Sequence, residues 1–327
     1  MFDFKVSDQK QKAGSSGGRY DVLIIGGGAA GLAAAIYTSR NRLKTLVLDK
    51  EAAGGLAATT ELIENYPGFP EGIAGSELMD RFREQAEKFG AEIEEFEEVT
   101  EVDPVRPGLI RVQTTDGAYE TQLIILATGS HPKKLNIPGE EEFYGRGVSY
   151  CATCDGPLFA GKDIVIIGAG NSGLQEGQHA LAYAKSVTFV EFLPYSPAEE
   201  ILQERTMKHE KSTFYFNHMV TEIKGDDRVT GVLMKDRETG EVKELPASGV
   251  FIYVGYSPDT EFVADLIELN KWGYVETDDR MRTTVEGILA AGDVRANNVA
   301  QVTVAVGDGT RAALMAREYI NDLEEEA

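Results

Sequence analysis

The sequence predicts an α/β protein built from two Rossmann-like, three-layer dinucleotide-binding domains. Three observations carry this. A G-x-G-x-x-G loop occurs twice. Each copy follows an apolar strand and precedes a helical stretch, a second strand and an acid. Gly168, Gly170, Gly173 and Glu191 each stand 142 positions after Gly26, Gly28, Gly31 and Asp49, an offset that chance does not readily keep across glycines, strand and acid.

In the first copy, Tyr20 to Ile25 reads as a buried strand running into Gly26-Gly-Gly28-Ala29-Ala30-Gly31. The first glycine permits a tight turn, the second lets backbone approach a pyrophosphate, and the third packs the helix on the sheet. The helix that follows, LAAAIYTSR, offers unpaired N–H groups and a positive dipole at its start. A second strand, Thr45 to Leu48, ends at Asp49, placed to accept hydrogen bonds from a ribose.

The second copy repeats this order, from the strand Asp163 to Ile167 through the glycine loop to the strand Ser186 to Val190 and Glu191. A third segment, Gly287 to Ala291, reads as a short strand leading to Gly292-Asp293, then Gln301-Val302 and the helical stretch TRAALMAREYI. Taken alone, Gly-Asp is equally the mark of an ordinary turn.

With 327 residues the chain exceeds an ordinary domain and suits two, and 42% hydrophobic residues supply their cores. A net charge of -22 repels nucleic acid and anionic membranes, so neither is expected as a partner. It describes a solvated acidic surface, and composition does not distinguish this from adaptation to salt. No apolar run approaches the ~20 residues that span a bilayer, and the start lacks a signal-peptide core, so a cytoplasmic location is expected. Residues 1–19 are polar with a Gly/Ser stretch and read as a flexible tail.

The two cysteines, Cys151 and Cys154, stand in Cys-Ala-Thr-Cys-Asp155 just before the second glycine loop. Zinc needs about four ligands, and neither a second cysteine pair nor finger-like histidine spacing accompanies them. Two incidental core cysteines are a second reading. A redox dithiol is the third and the favoured one, because Cys-x-x-Cys closes a small disulfide ring and often holds a low-pKa thiol. Asp155 offers a carboxyl beside it to move a proton.

Together the segments GGGAAGLAAAIYTSR, AGGLA at 53–57, ENYPGFPEGIAG at 64–75, ILATG at 125–129, SYCATCDG at 149–156, GVFIYVG at 249–255 and AAGDV resemble the low-molecular-weight thioredoxin reductases over almost the whole chain. The resemblance implies a discontinuous FAD domain, 20–128 and 255–327, with a dithiol-bearing pyridine-nucleotide-type domain, 129–254, inserted in it. It implies that Gly26, Gly28, Ala29, Ala30 and Gly31 cradle the FAD pyrophosphate, with Asp49 and Lys50 at the adenosine ribose. Gly54, Gly55, Leu56, Asn65 and Gly129 would line the flavin side. Gly292 and Asp293 would hold the ribityl chain, and Gln301 and Val302 the pyrimidine edge. Cys154 would face the flavin, Cys151 would attack the disulfide of a thioredoxin-like protein, and Asp155 would serve as acid and base. A homodimer is the family expectation.

One departure bears on the donor. NADPH-using relatives carry a basic cluster just after the second strand of the inserted unit. Here Val190 to Glu200 contains no Arg or Lys and three carboxylates, and Pro194 and Pro197 stiffen it. The sequence thus resembles the divergent, NADPH-independent members, some of which take electrons from ferredoxin. NADH is the alternative donor, since a ribose-binding Glu191 suits its free hydroxyls. Other readings are a ferredoxin–NADP reductase, against which the dithiol argues, a peroxide-reductase flavoprotein, which needs an added N-terminal module, and a non-catalytic flavin/dithiol redox sensor.

Overall fold

The computed structural model describes residues 17–326; the polar stretch at 1–16 lies outside the described residues. The chain divides into two units. One comprises residues up to Ala58, Glu64–Gly129 and Pro258–Ala327, and the other Thr59–Ile63 and Ser130–Ser257.

The first unit opens with β1 (Arg19–Ile25), α1 (Ala29–Arg40), β2 (Thr45–Asp49), the short α2 (Gly55–Ala58) and α3 (Gly75–Phe89). Arg19, assigned from sequence to the tail, already pairs with Glu120 as strand, so the ordered chain starts one residue earlier than expected. Then come β3 (Glu92–Glu95), β4 (Val99–Arg106), β5 (Leu109–Thr114) and β6 (Ala118–Leu126). The chain leaves through β7 (Ser130–Pro132).

The second unit holds β8 (Val148–Ser149), α4 (Ala152–Asp155), β9 (Asp163–Ile167), α5 (Asn171–Tyr183), β10 (Ser186–Val190) and α6 (Glu200–Met207). These are followed by β11 (Ser212–Tyr215), β12 (His218–Gly225), β13 (Val229–Asp236), β14 (Val242–Pro246), β15 (Gly249–Ile252) and β16 (Tyr256–Pro258). The chain returns to the first unit for β17 (Ile288–Ala290) and the long α7 (Val302–Glu326).

Each unit is organised by a parallel sheet. In the first the order is β3-β2-β1-β6-β5-β4 with β17 against β6; β5 pairs antiparallel with both β6 and β4, and the other pairings are parallel. In the second the order is β11-β10-β9-β15-β8, parallel throughout, with β12-β13-β14 as a separate antiparallel sheet. The central strands read as continuous apolar runs because both faces are covered: Val22, Leu23 and Ile24 are fully buried, as is Ile166. The alanine-rich α1 is buried from Ala29 to Ile36, the signature of a helix enclosed on all sides. These are two Rossmann-like dinucleotide-binding domains.

Glycines set the close approaches. A Cβ on Gly309 of α7 would stand 2.1 Å from the Ala30 carbonyl oxygen, so only glycine lets α7 lie against the start of α1. A Cβ on Gly292 would meet that of Ala30 at 2.8 Å. Small residues at one point thereby bring Asp293 beside the glycine loop.

Candidate functional site

The first glycine loop follows from β1. Gly26 turns with φ +105°, and its N–H donates to the Leu48 carbonyl at 2.8 Å. A Cβ on Gly31 would stand 1.8 Å from the Gly26 oxygen, which makes glycine obligatory where α1 meets the turn. Gly28 is the N-cap of α1 with no side chain capping it, so the first N–H groups of the helix are left to another acceptor. Opposite it runs Gly54-Gly55. The Gly54 N–H donates to the Gly27 carbonyl at 2.8 Å, and a Cβ on Gly55 would come within 3.1 Å of Gly28 Cα. The result is a cradle of bare backbone.

Asp49 closes one side. Its Oδ2 accepts the Gly27 N–H at 2.6 Å and its Oδ1 the Glu51 N–H at 2.8 Å. Burial raises the Asp49 carboxyl above its ordinary value, partly offset by these two bonds. Each oxygen keeps a further lone pair for a ribose hydroxyl. On the other side, burial and the neighbouring Asp308 carboxylate push Asp293 up to about 6, against one hydrogen bond from Asn298. Asp308 is itself paired with Arg295 at 2.6 Å. Asn65 Nδ2 donates to Gln301 Oε1 at 3.0 Å, and Val302 begins α7 next to it.

The geometry thus joins Gly26, Gly28, Ala29, Ala30, Gly31, Asp49, Gly54 and Gly55 around the start of α1, with Gly292-Asp293 alongside and Asn65 tied to Gln301. Lys50 instead pairs with Asp259 at 3.3 Å, and the Gly129 carbonyl accepts the Asp259 N–H, also at 3.3 Å. Leu56 is exposed on α2. An uncapped helix start, facing glycine backbones and an acid at the second strand end fit a dinucleotide such as FAD.

In the second unit, Gly168 turns with φ +102°, and a Cβ on Gly173 would stand 2.2 Å from the Gly168 oxygen. Glu191 accepts the N–H groups of Ala169 and Leu193 at 2.6 and 2.8 Å. The segment after it lies on the glycine loop through side chains. Ser196 Oγ donates to the Ala169 carbonyl at 2.6 Å, and Pro197 Cγ stands 4.0 Å from where a Gly170 Cβ would be. Glu199 takes both ends of Asn171, its N–H to Oδ1 at 2.8 Å and its Oε1 from Nδ2 at 3.3 Å. The fold brings one cation here that sequence reasoning missed. Arg237, from the end of β13, stacks on the Phe192 ring at 3.5 Å and donates to the Phe192 carbonyl and Asn217 Oδ1.

Cys151 and Cys154 form a disulfide, with Cα atoms 5.3 Å apart. Cys151 is the half-buried N-cap of α4, and its Sγ accepts the Cys154 N–H at 3.1 Å; Cys154 is exposed. The turn is held against α5. The Glu176 carboxylate accepts the Thr153 N–H at 2.8 Å, and the Tyr183 hydroxyl donates to the Ala152 carbonyl at 3.4 Å. Seven apart, Glu176 and Tyr183 share one helix face. Tyr253, beyond the end of β15, accepts the Ala152 N–H at 2.8 Å and donates to Glu176 at 3.3 Å. Burial and the Glu176 charge raise the Tyr253 phenol strongly and Tyr183 to about 12, so both stay protonated donors at neutral pH. Sequence reasoning missed all three; the signal present was an acid inside the second glycine-loop helix, with nothing to say what it touches. Among the described residues, no His/Cys/Asp/Glu group has the arrangement of a metal centre, and no helix is long and apolar enough to cross a membrane.

The pyridine nucleotide-disulphide oxidoreductase family model matches residues 20–309. A thioredoxin reductase of Treponema pallidum is 44% identical over 305 residues, covering 93% of this chain and 98% of that protein. The structure of Lactococcus lactis thioredoxin reductase in its FR conformation matches with TM-score 0.90 and 43% identity, covering 93% of this chain and 99% of that one. The chain belongs to the thioredoxin reductase family. A ferredoxin-flavin thioredoxin reductase of Clostridium acetobutylicum matches with TM-score 0.51 and 30% identity, covering 94% of this chain and 99% of that one. As a thioredoxin reductase, the chain is a flavin disulfide oxidoreductase, and its Cys151–Cys154 disulfide fits the redox-active pair of such an enzyme.

Proposed function

We propose that this thioredoxin reductase passes electrons through FAD and the Cys151–Cys154 pair to a thioredoxin-type disulfide, and that its donor is reduced ferredoxin rather than NADPH. FAD, when bound, supplies the two-electron carrier. The residues of the first glycine loop hold its pyrophosphate, with Asp49 at the adenosine ribose and Asp293 at the polyol chain. The Cys151 thiolate attacks one sulfur of the partner disulfide, forming a mixed disulfide and releasing one partner thiol. The Cys154 sulfur then attacks Cys151, which restores the enzyme disulfide and releases the second. Two electrons leave the dithiol in all. The Asp155 carboxyl makes no hydrogen bond or ion pair among the described residues and stands ready to exchange the protons.

The observation that carries the donor assignment is the contact surface of the second glycine loop: Ser196, Pro197 and Glu199 lie on it, and Arg237 is committed to Phe192. A 2′-phosphate carries nearly two negative charges and is normally gripped by Arg or Lys. A carboxylate nearby repels it by at least ~1 kcal/mol even in a wet site, and each missing charge-assisted bond removes roughly 1.5–3 kcal/mol. Together these weaken NADPH by two or more orders of magnitude. NADH escapes the phosphate penalty and is the second reading, favoured by the intact turn at Gly168, Gly170 and Gly173. The likeness to a ferredoxin-flavin thioredoxin reductase supports the first.

The test is steady-state reduction of a thioredoxin by the holoenzyme, driven in turn by photoreduced ferredoxin, NADH and NADPH. Turnover with ferredoxin and little with NADPH is the expected result. Efficient turnover with NADPH overturns the donor assignment, and full activity in a Cys151→Ser/Cys154→Ser protein overturns the dithiol route.

A further inference from the structure

The dithiol turn has four N–H groups at its start, and none is left over. Asp155 N–H goes to the Cys151 carbonyl at 3.2 Å and Cys154 N–H to Cys151 Sγ at 3.1 Å. The two before them go outside the turn, Ala152 N–H to the Tyr253 hydroxyl and Thr153 N–H to the Glu176 carboxylate, both at 2.8 Å. Thr153 Oγ1 adds contacts to both Glu176 oxygens at 3.2 Å, and Tyr253 donates its proton to the same carboxylate. Glu176 is half-buried with no basic partner among the described residues, so its charge is answered by this turn and by Tyr253.

Unclaimed N–H groups at a helix start lower the pKa of an N-terminal thiol by stabilising its thiolate. Here two of them are diverted and a negative charge stands at the turn instead. Both effects disfavour the thiolate of Cys151, and so favour the disulfide over the reduced pair. We propose that Glu176, held by Tyr253, is a positioning residue that sets the potential of the Cys151–Cys154 couple low. This rests on the reading that the pair delivers electrons to a thioredoxin-type disulfide, a strongly reducing couple that demands a comparably reducing dithiol. The segment is one piece of polar architecture: helix α5 supplies the carboxylate, the end of β15 the phenol, and α4 the N–H groups.

The test is the equilibrium between the holoenzyme and a dithiothreitol redox buffer. Reduced dithiothreitol gives two electrons and two protons to the Cys151–Cys154 disulfide and closes to its own cyclic disulfide; the enzyme thiols are then alkylated and counted by mass after denaturation. Neither electron donor nor thioredoxin enters, so the outcome is independent of whether those assignments hold. Glu176→Gln keeps the shape and an acceptor for Thr153 while removing the charge. It is expected to shift the equilibrium about tenfold toward the dithiol, which is about 30 mV upward. Tyr253→Phe frees the Ala152 N–H and is expected to shift it the same way by about threefold, and Glu176→Asp to stay nearer the parent than Glu176→Gln does. If Glu176→Gln does not fold, Tyr253→Phe decides. An unchanged equilibrium in the folded variants, or a shift toward the disulfide, overturns the proposal.

Discussion

In the first unit Asp49 takes the N–H groups of Gly27 and Glu51 at 2.6 and 2.8 Å; in the second Glu191 takes those of Ala169 and Leu193 at the same two distances. Both partners are related by the offset of 142 positions. The next bond is related by it too, and there the units part. Gly54 reaches the Gly27 carbonyl with its backbone N–H, whereas Ser196 reaches the Ala169 carbonyl with its side chain. Gly55 presents bare backbone to Gly28, and its counterpart Pro197 presents a ring to Gly170. One scaffold has thus been finished in two ways. Glycine leaves a cradle of bare backbone, while serine, proline and a carboxylate cover the second loop with side chains, and Arg237 beside it is stacked on Phe192.

The comparison breaks most visibly if the two glycine loops are challenged alike. Gly28 and Gly170 both have ordinary negative φ and room for a methyl, the nearest atoms being 3.9 and 4.0 Å away. Alanine therefore leaves either fold intact and obstructs only what approaches the backbone. Gly28→Ala is expected to weaken FAD retention by at least about tenfold, ~1.4 kcal/mol, as read by flavin content after gel filtration. Gly170→Ala is expected to leave ferredoxin-driven turnover within about twofold. Equal losses in both mean that the second loop is in use after all.

A gain of function sharpens the same contrast. Pro197→Arg puts a guanidinium on the second glycine loop, where one charge-assisted bond contributes roughly 1.5–3 kcal/mol. Loss of the proline gives back about 0.4–1 kcal/mol through the unfolded chain. The rate of flavin reduction at limiting NADPH is expected to rise about tenfold, and no rise means that charge is not what the loop lacks.

A third contrast is Asp293, which the first unit brings beside its glycine loop. Its carboxyl is raised from 3.8 to about 6, so between these values the folded chain holds a proton the unfolded chain has lost. Stability then falls as pH rises from about 4 to about 6 and stays lower above. The contribution is on the order of 1–2 kcal/mol after allowing for solvent screening. Thermal melting of the FAD-free protein across that range should show the decline, and Asp293→Asn should flatten it.

What the sequence revealed follows from what glycine does. Gly26, Gly31, Gly168 and Gly173 are dictated by a positive φ or by a Cβ that has no room, so each leaves a mark readable without the fold. The acids at the ends of β2 and β10 are fixed in register by the same turns. Glu176 left no such mark. Its contact with Thr153 spans 23 positions and depends on how α5 lies against the dithiol turn. Arg237 escaped for the same reason: Val190 to Glu200 contains no cation, yet a strand end 45 positions from Phe192 supplies one. The last helix was legible only from Thr310, whereas α7 already begins at Val302; Gln301 and Val302 were named through the family resemblance, and the pairing of Gln301 with Asn65 joins residues 236 positions apart.

If only the first of the two nucleotide folds takes a nucleotide, flavin reduction tells the two donors apart. Anaerobic stopped-flow mixing of the oxidised holoenzyme with NADPH, and separately with reduced ferredoxin, tests it by following flavin absorbance. The expected result is rapid bleaching with ferredoxin and none on the turnover timescale with NADPH; rapid bleaching by micromolar NADPH would contradict it.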